Sequence, residues 1–136
     1  MFSNKRDPKV VIIGAGMTGM LMTIKLREAG ITDLEIIEKT GQLGGTWREN
    51  TYPGVACDIP AHMYTYSFEP NPEWNHRFAH GQEIQDYFEL VGRKYGVTNS
   101  ISFNESVTSA IYNKGKWTVE TSNGRTIVAD FVVNCT

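Results

Sequence analysis

The segment KVVIIGAGMTG (residues 9–19) decides the fold of this chain. Residues 10–13 are continuously apolar and β-branched, which predicts a strand buried on both faces. Three glycines follow directly, and residues 17–29 then carry apolar side chains at helical spacing up to Gly30, which is placed to end a helix. Residues 34–38 predict a second strand. This order predicts a right-handed crossover between two parallel, adjacent strands.

The glycines Gly14, Gly16 and Gly19 have the spacing of a dinucleotide-binding loop. One permits the turn, one lets a diphosphate approach the backbone, and one packs the helix on the strand. The helix N-terminus then offers N–H groups and a positive dipole end to the phosphates. Glu38 ends the second strand, where a carboxylate accepts ribose hydroxyls and disfavours the 2′-phosphate of NADP. NAD and FAD both satisfy this pattern, and a plain glycine-rich turn is the simpler alternative.

A second glycine pair lies just past the second strand, in the segment GQLGGTWR (residues 41–48). Gly45 permits another close backbone approach, and Thr46 adds N–H and hydroxyl donors. Such a loop suits the far side of a diphosphate or a ribityl chain, which a NAD site does not need. The alternative is a tight turn in which Trp47 is only a core aromatic. Spacing alone leaves both interpretations open.

The remaining segments complete an α/β pattern. Residues 40–75 show no sustained periodicity of apolar residues, which predicts a long irregular connection. A connection of that length is usually functional. Residues 81–95 predict a helix and residues 101–103 a short strand. Strands over 107–111, 117–121 and 125–129 predict an antiparallel meander, with a type I′ turn at Asn123-Gly124, and residues 131–134 predict a last strand. We therefore expect a Rossmann-like fold with a parallel sheet and a small antiparallel β-meander.

The composition argues against a nucleic-acid-binding, a disulfide-rich or a membrane-spanning protein. Thirteen basic and fifteen acidic residues give a net charge of −2, without a run of like charge that would follow nucleic acid or a membrane surface. Cys57 and Cys135 are far apart in sequence, so no disulfide framework is indicated and a reducing cytoplasm is expected. Residues 1–7 are polar and unlike a signal peptide, and no stretch reaches the roughly 20 apolar residues that span a bilayer.

Four stretches, in chain order, resemble the Baeyer–Villiger monooxygenase family: GAGMTG (14–19), GGTW (44–47), ENTYPGVACD (49–58) and YTYSF (64–68). The third stretch is the most specific, because flavin monooxygenases that oxidise amines and sulfides are similar at the glycines but not there. The ending NCT (134–136) resembles the point where the family continues as Ala-Thr-Gly. The resemblance implies that residues 1–136 are the N-terminal part of an FAD-binding domain and that the chain continues.

The resemblance implies an enzyme that uses FAD and NADPH. NADPH reduces the flavin, oxygen adds to it, and the flavin peroxide attacks a ketone to give an ester or lactone. The segment that binds NADPH lies outside these residues, and no metal is implied. Carried over position by position, the cofactor-binding residues are Gly14, Gly16 and Gly19 at the diphosphate, Glu38 and Lys39 after the second strand, Gly45, Thr46, Trp47, Asp58 and Tyr64 along the FAD, and Val107 at the adenine.

Asp58 is the catalytic candidate. In the family the matching aspartate lies beside the flavin and positions an arginine, from a later segment, that stabilises the peroxide and the oxyanion of its adduct. Without the resemblance, an aspartate near Pro53-Gly54 more commonly caps a turn. Two further functions stay open: an amine- or sulfide-oxidising flavin monooxygenase, and a non-catalytic nucleotide-binding protein that ends at Thr136. His76 and His80 have a metal-binding spacing but no evident third ligand.

Overall fold

The computed structural model describes residues 6–136. The polar start expected over residues 1–7 therefore lies largely outside the described residues. The elements, in order, are β1 (Val10–Ile13), α1 (Met17–Glu28), β2 (Leu34–Ile37), α2 (Thr46–Glu49), α3 (Gly81–Lys94), β3 (Ile101–Ser102), β4 (Val107–Asn113), β5 (Lys116–Thr121), β6 (Thr126–Ala129) and β7 (Phe131–Asn134), with 3₁₀ turns at Ala61–Met63 and Val97–Ser100. Within residues 6–136, no helix has the length and apolar character needed to cross a membrane.

Four parallel strands form the central sheet in the order β3-β2-β1-β7. β1 pairs with β2 through Val10 opposite Leu34, and with β7 through Val10 opposite Phe131. β3 extends the sheet on the far side of β2. The prediction that β1 is buried on both faces is confirmed, because Val11 and Ile12 point to opposite faces and are both fully buried.

The helix α1 connects β1 to β2 across one face of this sheet. It ends as predicted, because Gly30 adopts φ +85° and its N–H donates to the carbonyl of Arg27, while the N–H of Ile31 donates to the carbonyl of Leu26. Met20 and Ile24 of this helix are buried in the same core as Ile12 and the α3 residue Phe88. The two helices α1 and α3 therefore cover this face.

The meander of β4, β5 and β6 covers the opposite face. Val119 and Ile127 of the meander pack against Val11 and Ile37 of the parallel sheet in a second, smaller core. The three strands are antiparallel and ordered as they follow in the chain, as predicted. The chain is thus layered as helices, parallel sheet and meander.

The prediction of a type I′ turn at Asn123-Gly124 is wrong. Among the described non-glycine residues, positive φ occurs only at Asn104 and Lys114, so Asn123 lacks the left-handed conformation that this turn requires. The loop instead closes through the N–H of Gly124, which donates to the carbonyl of Thr121. The two-residue turn with positive φ at both positions lies in the preceding hairpin, at Lys114 (φ 48°) and Gly115 (φ 82°).

The long segment between β2 and α3 is held by aromatic side chains. Tyr66 is buried, packs on Phe88, and donates its hydroxyl to the carbonyl of Met17 at the start of α1. The hydroxyl of Tyr87 on α3 accepts the N–H of Tyr66 and donates to the carbonyl of Glu69. These contacts fix the segment on α1 and α3, although it contains only the short helix α2 and one 3₁₀ turn.

Candidate functional site

A cavity of about 520 Å³ opens at the carboxyl ends of β1, β2 and β7. Ligands of open α/β sheets bind at this edge, and the volume lies in the range of small-molecule sites. Most of the predicted cofactor-binding residues line it: Gly14, Gly16, Glu38, Lys39, Gly45, Thr46, Trp47, Tyr64 and Val107. Gly19 and Asp58 are not among the lining residues.

The first glycine loop joins β1 to α1 and forms the floor of the cavity. Gly14 turns the chain with φ +96°, and its N–H donates to the carbonyl of Ile37. A Cβ built on Gly19 would lie 1.9 Å from the carbonyl oxygen of Gly14, so this glycine permits the close packing of α1 on the end of β1. Gly16 precedes α1 and faces the cavity, where the first helical N–H groups have no intrahelical acceptor.

The second glycine loop approaches the first at backbone distance. The N–H of Gly44 donates to the carbonyl of Ala15, and a Cβ built on Gly45 would lie only 3.0 Å from the Cα of Gly16. The two loops therefore touch, and at Gly16 and Gly45 they present to the cavity a surface without side chains. A diphosphate fits on such a surface, because backbone N–H groups can reach its oxygens without obstruction from a Cβ.

Glu38 is buried at the end of β2, with 5% of its surface exposed. Its Oε2 accepts the N–H of Ala15 at 2.8 Å, and its Oε1 accepts the N–H and the hydroxyl of Thr40, both at 2.8 Å. The Thr40 hydroxyl also lies 2.7 Å from the carbonyl of Gln42 and has one proton for two acceptors. If it donates to Gln42, both carboxylate oxygens of Glu38 have a lone pair for ribose hydroxyls.

Gln85 on α3 is a residue of the site that sequence reasoning missed. Its Nε2 donates to the carbonyl of Leu43 at 2.8 Å, whereas its buried Oε1 has no hydrogen-bond partner within residues 6–136. A Cβ built on Gly44, whose φ is +125°, would lie 1.9 Å from that Oε1. Gln85 thus fixes the second glycine loop and requires glycine at position 44. The signal in the sequence is an amide on the otherwise apolar face of a predicted helix.

Trp47 and Tyr64 form the aromatic wall at one end of the cavity. The indole N–H of Trp47 donates to the hydroxyl of Tyr64 at 3.0 Å, and that hydroxyl donates to the sulfur of Met17 at 3.2 Å. The two rings meet edge to face with centroids 5.6 Å apart. The structure therefore brings Tyr64 to the loop that carries Trp47, although the two residues are 17 positions apart.

The other end of the cavity is lined by Glu105, Ser106 and Val107, where the chain enters β4. The N–H of Glu105 donates to the carbonyl of Glu38 at 3.0 Å, which joins this wall to the end of β2. Lys39 lies at the rim, 64% exposed, and forms an ion pair with Glu49 at 3.0 Å. The hydrogen bond and the negative charge of Glu49 raise the pKa of Lys39, so it stays protonated.

Asp58 lies outside the cavity, in an exposed bend of the long segment. The neighbouring Cys57 is buried, and its N–H donates to the carbonyl of Ala79. The Asp58 carboxylate does not line the cavity, and the ion pairs of arginine within residues 6–136 are formed with Glu35, Glu89 and Glu105 instead.

The other titratable candidates form no site of their own. The rings of His76 and His80 pack edge to face with centroids 4.3 Å apart, and Nδ1 of His76 lies 3.5 Å from Glu83. No group of three or more His, Cys, Asp or Glu side chains among the described residues is arranged to hold a metal ion. Cys57 and Cys135 are free thiols, and burial raises the pKa of Cys135, which disfavours its thiolate.

Residues 12–80 match the family model of the NAD(P)-binding Rossmann-like domain. An uncharacterized monooxygenase of Mycobacterium tuberculosis is 46% identical over 131 residues, which are 96% of this chain and 26% of that protein. A Baeyer–Villiger monooxygenase of Streptomyces coelicolor is 41% identical over 130 residues, 94% of this chain and 25% of that protein. The chain thus spans about a quarter of the length of these relatives.

Solved structures agree with the sequence comparison. The cyclohexanone monooxygenase of a Rhodococcus species, bound to NADP⁺, superposes with a TM-score of 0.89 at 32% identity, over 93% of this chain and 25% of that one. An oxidized steroid monooxygenase bound to NADP gives a TM-score of 0.89 at 34% identity, over 94% and 26%. The predicted Rossmann-like fold and the resemblance to Baeyer–Villiger monooxygenases are therefore both confirmed.

Proposed function

We propose that this chain, which belongs to the family of NAD(P)-binding Rossmann-like domains, is the FAD-binding part of a Baeyer–Villiger monooxygenase. The observation that carries the proposal is the pair of glycine loops that meet at backbone distance beside the buried Glu38. A diphosphate bound in the cavity across both loops directs an adenosine toward Glu38 and Val107. The other half of the dinucleotide then extends toward Trp47 and Tyr64.

The residues of the cavity fit FAD better than they fit NADPH. The buried carboxylate of Glu38 can accept ribose hydroxyls but repels a 2′-phosphate, so NADPH does not fit here. The second glycine loop adds donors on the far side of the diphosphate, and the aromatic wall gives a flavin apolar contact. We assign Gly14, Gly16 and Gly45 to the diphosphate, and Lys39 and Thr46 to the rim around it.

When bound, FAD supplies the electron transfer from NADPH to oxygen that a monooxygenase of this type requires. This chain binds the cofactor at the carboxyl ends of its parallel strands and orients it there. The matched residues are only 25% of the S. coelicolor enzyme, so NADPH and the ketone are bound by residues outside this chain. We place the protein in a reducing compartment such as the cytoplasm, consistent with its two free thiols.

Asp58 is assigned to positioning. An exposed carboxylate without a hydrogen bond in the described residues is available to hold an arginine from outside this chain. Its substitution by alanine in an active gene product should lower turnover by roughly 10²- to 10³-fold while FAD content and melting temperature stay unchanged. A variant that melts several degrees lower but turns over normally would identify Asp58 as a turn residue.

The activity is tested on the gene product that carries this chain. Supplied with FAD, NADPH and air, it should convert a cyclic ketone to a lactone, with one NADPH consumed for each lactone formed. The 136-residue chain alone should form no ester above the free-flavin background. Oxidation of sulfides or amines without any ester would instead assign the gene product to the related class of flavin monooxygenases.

A further inference from the structure

The turn between β5 and β6 contacts two carboxylates on two different parts of the chain. Nη2 of Arg125 donates to Oε1 of Glu35 on β2 at 2.8 Å, and Nη1 donates to Oε2 of Glu105 at 2.8 Å. The planar fork of arginine is suited to such a double contact, which a lysine cannot reproduce. Both carboxylates raise the pKa of Arg125, so its charge is permanent.

Glu105 is the most deeply buried acidic side chain of this network, with 3% of its surface exposed. Its two oxygens are both occupied, one by Arg125 and the other by the hydroxyl of Thr121. A buried carboxylate is tolerated only when it is paired and hydrogen-bonded, so the position of Glu105 depends on these partners.

The same residue is part of the cavity wall. Its N–H donates to the carbonyl of Glu38, and Ser106 and Val107, which follow it, line the cavity. Ser106 of the wall also exchanges two hydrogen bonds with Ser122, and the register between β4 and β5 then shifts between Val107 and Ser109. The side chain of Glu105 adds a second anchor to the wall, two residues before the point where the ladder becomes irregular.

We propose that Arg125 is a positioning residue of the nucleotide site, which holds the wall Glu105–Val107 at the distance from Glu38 that an adenosine requires. The proposal rests on the proposed FAD site but concerns only its adenosine end. Arg125 itself is on the far side of Glu105 and is not a lining residue. Substitution of Arg125 should therefore weaken the binding only of ligands that carry adenosine.

The test compares three ligands on the 136-residue chain and its Arg125→Met variant. FAD and ADP both carry adenosine, whereas FMN carries the flavin without it. We expect the variant to bind FAD and ADP roughly tenfold more weakly and FMN unchanged. Glu105→Gln should give the same pattern, and the double variant should lose no more than either single variant. Lys116→Met is the matched control, since Lys116 also forms an ion pair on the meander, with Asp130, away from the cavity.

The outcomes separate positioning from general stability. Equal weakening of all three ligands, or a lower melting temperature with unchanged binding of all three, would overturn the proposal. An Arg125→Lys variant that binds ADP as tightly as the wild type would also overturn it. If the wild type binds ADP but not FAD, the proposed FAD site fails while the ADP comparison still decides the role of Arg125.

Discussion

The two halves of the cavity are held by different kinds of contact. The strand half consists of Gly14, Gly16, Glu38, Glu105 and Val107, and the loop half consists of Gly45, Thr46, Trp47 and Tyr64. In the strand half, buried carboxylates accept backbone and side-chain hydrogen bonds at the ends of parallel strands. In the loop half, a long irregular segment is held on α1 and α3 by aromatic contacts, by hydrogen bonds of tyrosine hydroxyls and by a surface ion pair.

This difference indicates how the site divides its tasks. Buried hydrogen bonds between strand ends open only with the sheet, so the strand half should be rigid and set the position of the nucleotide. The loop half has no strand ladder, and part of its attachment is a surface ion pair, which is worth little and is screened by salt, so it should be the more easily displaced. The contact between Gly16 and Gly45 joins the two halves at the proposed diphosphate site.

The largest loss of stability is expected from Gly19→Ala, because Gly19 packs against Gly14 of the strand half. The new Cβ would lie 1.9 Å from the carbonyl oxygen of Gly14, which is backbone and cannot rotate away. We expect the free energy of unfolding to fall by about 3 kcal/mol, measured by urea denaturation. Gly16→Ala is the control, because its Cβ would meet only the Cα of Gly45 at 3.7 Å. Equal stability of the two variants would refute the packing role of Gly19.

A smaller effect is expected in the loop half, from Gly44→Ala. The new Cβ would lie 1.9 Å from Oε1 of Gln85, a side chain that can move at the cost of its bond to Leu43, and φ +125° is unfavourable for alanine. We expect a loss of about 2 kcal/mol in the free energy of unfolding. In a double-mutant cycle, Gln85→Ala should recover part of this loss. Strictly additive losses would show that Gln85 does not determine the residue at position 44.

The sequence predicted the strand half better than the loop half. The strand, the three glycines and Glu38 follow a local order whose geometry is regular, so spacing alone placed them together. The partners of Glu38 and the role of Gln85 depend on how distant segments pack. The hairpin turns also depend on more than local composition. The pair Asn123-Gly124 favoured a type I′ turn, but the turn with positive φ at both positions lies at Lys114-Gly115. Glu105 and Arg125 are 20 residues apart and carry no local signal.

The smallest effect is the loss of stability at acid pH, which we attribute to Glu69 on the long segment between β2 and α3. Hydrogen bonds from Lys94 and Tyr95 lower the pKa of Glu69 below its ordinary value of 4.5. A carboxylate whose pKa is lower in the folded state stabilises the fold above the ordinary pKa, and this contribution is lost as the pH falls through the folded pKa. The melting temperature of the wild type should therefore fall more steeply than that of Glu69→Gln between about pH 5 and about pH 3. Glu73→Gln, on the same segment, is the control and should follow the wild type.

The proposed FAD site consists of the two glycine loops and Glu38. The most direct measurement is calorimetric titration of the 136-residue chain, and of its Gly16→Val variant, with FAD and with NADP. We predict that the wild type binds FAD more tightly than NADP, because Glu38 repels the 2′-phosphate and the second glycine loop receives the diphosphate. We also predict that Gly16→Val abolishes binding, since its branched side chain takes the place of the diphosphate in the cavity. Tighter binding of NADP, or unchanged FAD binding by Gly16→Val, would show that these residues do not form an FAD site.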